Sequence, residues 1–254
     1  MPSPIVYLHG FLGSTDSFDA VKARLRGAHS VYSPPIYGHS GRQTCLPNHD
    51  YDAETERLLG LVRERFQSSP VHLVGYSMGG RLALGMLLKA TSQFRSATLI
   101  SARRGLESAE ERAKRREADE RWAKMLRSVP LSQFLDTWEA RPLFSTMKQL
   151  APATLARLRE QRRKHDPVAL AHAMMALSLA NMPSLSAELS TIQCRVLLMA
   201  GEKDANFVEF SADLARRIPN SRTIVVSGAG HNLPLERPDE VAAAICEEMN
   251  HAER

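Results

Sequence analysis

Short runs of β-branched and aliphatic residues recur along the chain. Longer stretches between them carry apolar positions three and four residues apart. The short runs are Ile5-Val6-Tyr7-Leu8, Val31-Tyr32, Val71-His72-Leu73-Val74, Ala97-Thr98-Leu99-Ile100, Val196-Leu197-Leu198-Met199 and Thr223-Ile224-Val225-Val226. They are apolar throughout rather than alternating, the pattern of strands covered on both faces in a parallel sheet. Helical periodicity lies between them, near residues 16–26, 51–67, 78–91, 207–217 and 238–249. Repeated strand–helix units with right-handed crossovers predict an α/β fold, a mostly parallel, doubly wound sheet.

The rhythm breaks between Ser101 and about Pro183, where no strand is expected. Ser108-Ala109-Glu110-Glu111 reads as a capping box opening a helix. Trp122, Met125, Leu126 and Val129 follow at helical spacing. Asp166-Pro167 reads as an N-cap with proline at the first helical position. A stretch this long is uncommon as a loop inside a compact domain. It predicts an all-helical cap over residues 103–183, inserted into a core made of residues 1–102 and 184–254. Such a cap would sit over the carboxyl ends of the strands, where open parallel sheets bind ligands.

Composition narrows the class without naming a function. The chain has 254 residues, 43% hydrophobic and 24% charged, which excludes a disordered or fibrous protein. No run approaches the ~18 apolar residues of a membrane span, so no membrane insertion is expected. Met1-Pro2-Ser3-Pro4 lacks the basic-then-apolar form of a signal peptide. The three cysteines, Cys45, Cys194 and Cys246, are odd in number and far apart, which argues against a disulfide framework and for a cytoplasmic location. The net charge of +5 reads first as a basic soluble surface; the sharper readings, nucleic acid or an anionic small substrate, are not separated by composition.

The chemistry is concentrated at strand ends. Gly75-Tyr76-Ser77-Met78-Gly79 lies between the strand ending at Val74 and an apolar helix, the context that gives G-x-S-x-G its meaning. The tight turn needs glycines and pushes the Ser77 hydroxyl out over the sheet. The same turn sets the Met78 N–H at a helix N-terminus, aimed at developing negative charge. His9-Gly10-Phe11-Leu12-Gly13 follows the first strand, and its Phe11 N–H is the candidate second oxyanion donor. Asp204 follows the strand ending at Met199, and His231 follows the strand ending at Val226. The chain order Ser77, Asp204, His231 predicts a triad: His231 takes the serine proton, and Asp204 orients the imidazole.

Other polar residues divide more evenly. His72 is expected to pack in the core, and His39, His49 and His165 to face solvent. No metal-ligand spacing and no Walker A sequence occur, so no metal or cofactor is expected. Gly228-Ala229-Gly230 lacks the following strand–helix unit of a dinucleotide loop. Arg81, one helical turn after Ser77, reads either as a surface ion-pair partner or as a guanidinium fork for a substrate carboxylate. Arg112, Lys114, Arg115, Arg116 and Arg121 are interleaved with acids, the pattern of a solvated helix face. Mixed signs also argue against a nucleic-acid stripe.

Together these residues resemble the MenH family, 2-succinyl-6-hydroxy-2,4-cyclohexadiene-1-carboxylate synthase of menaquinone biosynthesis, within the α/β-hydrolase superfamily. The resemblance spans nearly the whole chain. It rests on Leu8-His9-Gly10-Phe11, Gly75-Tyr76-Ser77-Met78-Gly79-Gly80-Arg81 and Gly230-His231-Asn232. More specific are Gly105-Leu106 leading into Ala109–Arg116, then Asp119 and Trp122, with Trp138–Phe144 and Arg162 before Asp166-Pro167. The resemblance implies an α/β-hydrolase fold with a helical cap and a lyase that eliminates pyruvate from a tricarboxylate, without cofactor. It implies that Ser77 acts as base, that Phe11 and Met78 hold enolate-like charge, and that Arg81, Arg115 and Arg162 bind carboxylates. Arg159 and Arg163 lie beside Arg162. Tyr76, Trp138 and Phe144 would shape the pocket. Two segments depart from the family pattern. Ser101–Leu106 carries Arg103 and Arg104 where a small residue and proline are usual, which could add substrate contacts or alter the cap hinge. Ser33–His39 lacks the usual Asp-x-Pro-Gly-His-Gly form.

The same triad would also serve a hydrolase of small esters or carbon–carbon bonds. A ligand receptor and a nucleic-acid binder complete the alternatives. The expected partner is a small anionic molecule, and the expected state a monomer or small homo-oligomer.

Overall fold

The computed structural model describes residues 3–27, 29–39, 46 and 48–253; Cys45 lies outside them. The chain begins with β1 (Ile5–Leu8), a short α1 (Asp19–Lys22), β2 (Val31–Tyr32) and α2 (Tyr51–Phe66). β3 (Val71–Tyr76), α3 (Met78–Lys89) and β4 (Phe94–Ile100) follow. Four helices then come in succession: α4 (Ala109–Ser128), α5 (Leu131–Glu139), α6 (Pro152–Arg163) and α7 (Pro167–Ala176). β5 (Arg195–Gly201), α8 (Ala205–Ala215), β6 (Ser221–Val226), α9 (Leu233–Glu236) and α10 (Pro238–Ala252) complete the fold.

The strands form one six-stranded sheet in the order β2-β1-β3-β4-β5-β6. Every pairing is parallel. From β1 the chain first steps one way to β2, then returns past β1 and proceeds the other way from β3. The crevice between β1 and β3 is therefore the topological switch point, where such sheets bind ligands at their carboxyl ends. Leu8 pairs with Gly75, so the loops carrying Phe11 and Ser77 leave the sheet side by side.

Strand pleating divides the core in two. Val6, Leu8, Leu73, Leu99 and Leu198 pack with α2 and α3 on one face. Ile5, Tyr7, Val74, Ile100 and Leu197 pack with α10 on the other. That is why these strands are apolar at consecutive positions. β6 departs from the expectation of two covered faces: it is the sheet's edge, and Val225 is 46% exposed.

A third apolar cluster joins the inserted helices to the β1 loop. Phe134, Trp138, Phe144, Leu170 and Met174 enclose Leu12, and the Phe11 and Trp138 rings lie 5.2 Å apart. Both predicted caps form. Ser108 Oγ accepts from the Glu111 N–H, and the Glu111 carboxylate accepts from the Ser108 N–H. Asp166 accepts from the N–H groups of Val168 and Ala169. The helix expected over 16–26 shrinks to Asp19–Lys22. Ser17 Oγ accepts from the Ser14 N–H, and Ser14 Oγ from the Asp16 N–H. These local bonds favour turns over helix.

Candidate active site

The turn after β3 is sterically forced. A Cβ on Gly75 would lie 2.6 Å from the Gly79 carbonyl oxygen and 2.8 Å from the Gly80 Cα. Ser77 itself sits at φ 52°, ψ −109°. A non-glycine residue held there costs about 1–3 kcal/mol, which the surroundings must over-determine. They do so through the Ser77 N–H, which donates to the Ile100 carbonyl at 2.8 Å, and through α3, which begins at the next residue.

The sharp turn aims Ser77 at His231. Ser77 Oγ lies 3.0 Å from His231 Nε2, and His231 Nδ1 lies 2.6 Å from Asp204 Oδ2. An ionised Asp204 can only accept, so Nδ1 carries the proton and Nε2 is free to accept from the serine hydroxyl. Asp204 and His231 are both buried. The Tyr76, Phe144 and Phe207 rings surround the imidazole at 4.6 to 6.0 Å between centroids, limiting water there. Burial raises the Tyr76 hydroxyl well above the usual tyrosine range, so it stays neutral.

Two residues not foreseen from sequence hold His231 in place. The buried Glu236 carboxylate accepts from the Gly230 N–H at 2.7 Å and the Asn232 N–H at 3.0 Å, bracketing the histidine. Ser101 Oγ donates to the His231 carbonyl at 3.1 Å. Glu236 falls four residues after Asn232, a helix-start spacing that offers a weak sequence signal. Ser101 offers none.

The loop after β1 is fixed by histidines. The Leu12 N–H donates to His39 Nε2 at 3.2 Å, and His165 Nε2 donates to the Leu12 carbonyl at 3.3 Å. Leu12 needs this grip, since its φ is 63°. With Nε2 accepting, the His39 proton sits on Nδ1 and goes to the Tyr37 carbonyl at 2.9 Å. The expectation that His39 and His165 face solvent is therefore wrong: both are buried. His49 is half-buried and pairs with Glu54 at 2.8 Å. Loop polarity misled because these rings serve the backbone of a neighbouring loop. Burial lowers the pKa of His39 and His165, and that of His9 to about 4. His72 packs in the core as expected, against Ser96.

Above Ser77 opens a cavity of about 1220 Å³ lined by Phe11, Tyr76, Trp138 and Phe144. Arg81, Arg115 and Arg162 also line it, and Arg159 and Arg163 do not. Arg81 donates to the Leu177 carbonyl at 3.1 Å and makes no ion pair among the described residues. Burial, then the Arg115 charge, push its pKa down to about 10. The surface ion-pair alternative for Arg81 is thus not what the fold contains. Arg115 Nε donates to both Asp119 carboxylate oxygens at 2.9 Å. Arg162 is buried against Glu139 at 2.8 Å. The mixed-charge face of α4 is only partly solvated. Lys114, Arg116 and Arg121 are exposed, whereas Arg112 turns in to the Met182 carbonyl at 2.7 Å.

Comparisons with known proteins agree with this fold. The model of the alpha/beta hydrolase family matches residues 5–244. A relative from Escherichia fergusonii named 2-succinyl-6-hydroxy-2,4-cyclohexadiene-1-carboxylate synthase is 30% identical over 246 residues, 96% of this chain and 92% of its own. A Salmonella heidelberg relative of the same name is 29% identical over 243 residues, 96% of this chain and 92% of its own. The solved structure of MenH from S. aureus superimposes with a TM-score of 0.94 at 27% identity, covering 100% of this chain and 96% of that one. The chain belongs to the MenH family of alpha/beta hydrolases. The MenH likeness extends over the inserted helices as well as the sheet, since the match to the S. aureus structure covers both. No described helix of this MenH-family chain is long and apolar enough to cross a membrane.

Proposed function

We propose that this chain is a lyase that eliminates pyruvate from 2-succinyl-5-enolpyruvyl-6-hydroxy-3-cyclohexene-1-carboxylate. The product is 2-succinyl-6-hydroxy-2,4-cyclohexadiene-1-carboxylate. Ser77, its proton drawn to His231 Nε2, abstracts the ring proton activated by the succinyl carbonyl. Asp204 stabilises the resulting imidazolium. The C–H electron pair moves onto the carbonyl oxygen, which the Phe11 and Met78 N–H groups receive. The enolate then collapses, a ring carbon–carbon double bond forms, and the C–O bond to the enolpyruvyl group breaks. The departing pyruvate enolate takes up the proton held on His231, which becomes pyruvate's methyl proton and leaves the imidazole neutral. A serine is a weak base unless preorganised donors stabilise the charge it creates, so the oxyanion site is essential to this route.

The observation that carries this reading is Arg81. It lies one helical turn from Ser77 and lines the cavity, with no ion pair to a carboxylate among the described residues. A substrate carboxylate would complete it, with Arg115 and Arg162 as further contacts and Tyr76, Trp138 and Phe144 as walls. Residues 103–183 act as the cap over a core of 1–102 and 184–254. The name carried by the relatives supports the same product. An intracellular location fits the pathway.

A hydrolase reading is favoured by the Ser77–His231 distance, which suits acyl transfer equally. Arg81→Ala separates the two. Loss of a charge-assisted bond of roughly 1.5–3 kcal/mol lowers kcat/KM for elimination by about ten- to a hundredfold. Hydrolysis of an uncharged nitrophenyl ester by the same variant stays near the parent rate. Equal effects on both reactions would remove the carboxylate clamp.

A further inference from the structure

Of the cavity arginines other than Arg81, Arg115 and Arg162, Arg24 and Arg157 pair with Asp239 and Asp19, whereas Arg103 and Arg141 lie over aromatic rings. Arg103 follows β4, and its guanidinium lies 4.2 Å from the Phe210 ring centroid. Its Nε is buried without a hydrogen-bond partner, and its Nη2 reaches only the Gly105 carbonyl, at 3.4 Å. Arg141, just after α5, lies 4.4 Å from the Trp138 ring centroid and 5.6 Å from that of Trp122. Neither forms an ion pair among the described residues, and both line the cavity. Arg104 is the contrast. Next in sequence to Arg103, it is taken up by Asp213, Glu107 and Ser186.

A guanidinium laid face-on against an aromatic ring is fixed in plane while its N–H edge stays available. Both arginines are half-buried, and even partial burial of such a fork without an anion carries a cost that a ligand can relieve. Burial and the nearby Arg115 charge lower the pKa of both groups. With Arg81, the cavity presents three guanidinium groups that form no ion pair among the described residues, with Asp119 and Glu111 acting on them only from a distance.

We propose that Arg103 and Arg141 form a second carboxylate-binding locus of this cavity, beyond Arg81, Arg115 and Arg162. Arg103 comes from the start of the inserted segment, three residues after β4, and Arg141 from the stretch after α5, so one polycarboxylate meeting both would bridge two parts of that segment. The inference rests on the reading that this cavity is the substrate site. Arg103 and Arg141 are specificity-determining contacts here, with no part in proton transfer.

The test uses tricarballylate, a tricarboxylate that cannot undergo the elimination, titrated calorimetrically into the full chain. Arg103→Gln and Arg141→Gln each weaken its binding by about tenfold or more, the size of a lost charge-assisted contact. Arg103→Lys and Arg141→Lys keep a cation without the planar fork, and recover part of the loss if a glutamine variant folds poorly. Arg104→Gln leaves affinity within about twofold. The trimethyl ester of tricarballylate does not compete. Unchanged affinity in both glutamine variants overturns the proposal, as does absence of tricarballylate binding at millimolar concentration or equal binding of the ester. Pyruvate release, measured separately, reports on the lyase reading. Loss of probe binding in a chain that releases no pyruvate would keep the locus and reject the lyase. Normal probe binding in both variants of a chain that does release pyruvate would do the reverse.

Discussion

Glu236→Gln probes whether the catalytic geometry is set through the backbone of His231. The carboxylate accepts the N–H groups on both sides of the histidine, at 2.7 and 3.0 Å, and is buried. Hydrogen bonds to a charged group contribute roughly 1.5–3 kcal/mol each. An amide has one oxygen, so glutamine keeps one bond and turns its NH2 toward the other donor. The cost is therefore about 2–3 kcal/mol. At roughly 2–4 °C per kcal/mol for a chain of this size, Tm falls by about 4–12 °C. The kinetic effect is larger than a stability loss alone would give. His231 Nε2 must stay near 3.0 Å from Ser77 Oγ, and a displacement of about 1 Å costs on the order of a hundredfold in rate. Calorimetry and steady-state kinetics well below the variant's Tm separate the effects: kcat falls while KM holds. A variant with parental Tm and kcat would refute the idea that Glu236 holds the histidine loop.

Three further outcomes follow from the same contacts. Ser77→Gly removes both the hydroxyl and the side-chain strain at φ 52°; it abolishes turnover yet raises stability by about 1 kcal/mol in chemical denaturation. Acid lowers stability through the buried histidines. His9 titrates near 4 when folded against 6.5 ordinarily, so the unfolded chain binds more protons between those values. Roughly 3 kcal/mol is then lost as pH falls from about 6.5 to about 4, and a denaturation midpoint flat across that range would contradict it. Arg81→Met keeps volume and removes a half-buried cation that has no ion pair among the described residues, so urea unfolding shows equal or slightly greater stability, by about 1 kcal/mol at most, while KM rises about tenfold or more; a marked loss of stability would mean the guanidinium is structural.

The strands and the Ser77–His231–Asp204 constellation were legible because local rules and global fold agree there. Doubly covered strands are apolar at every position, and a serine in a glycine turn after such a strand has few other settings. Position in the sheet was not legible. The Thr223–Val226 run reads as a covered strand, but β6 lies at an edge of the sheet, where Val225 meets solvent. His39 and His165 were misjudged because their partners, the two backbone groups of Leu12, lie far away in sequence. Which of Arg159, Arg162 and Arg163 faces the cavity depended on the rotation of α6, which a charged helix does not reveal. The caps of α4 and α7 were readable because both partners lie within three residues.

The central claim is that Ser77 initiates pyruvate elimination. Its most direct test is pyruvate release, followed by coupling to lactate dehydrogenase, with the unstable enolpyruvyl substrate generated in situ and spontaneous loss subtracted. The account predicts rapid release by the parent chain, falling to the spontaneous rate in Ser77→Ala. Release by the parent no faster than the spontaneous rate, or undiminished release by Ser77→Ala, would contradict it.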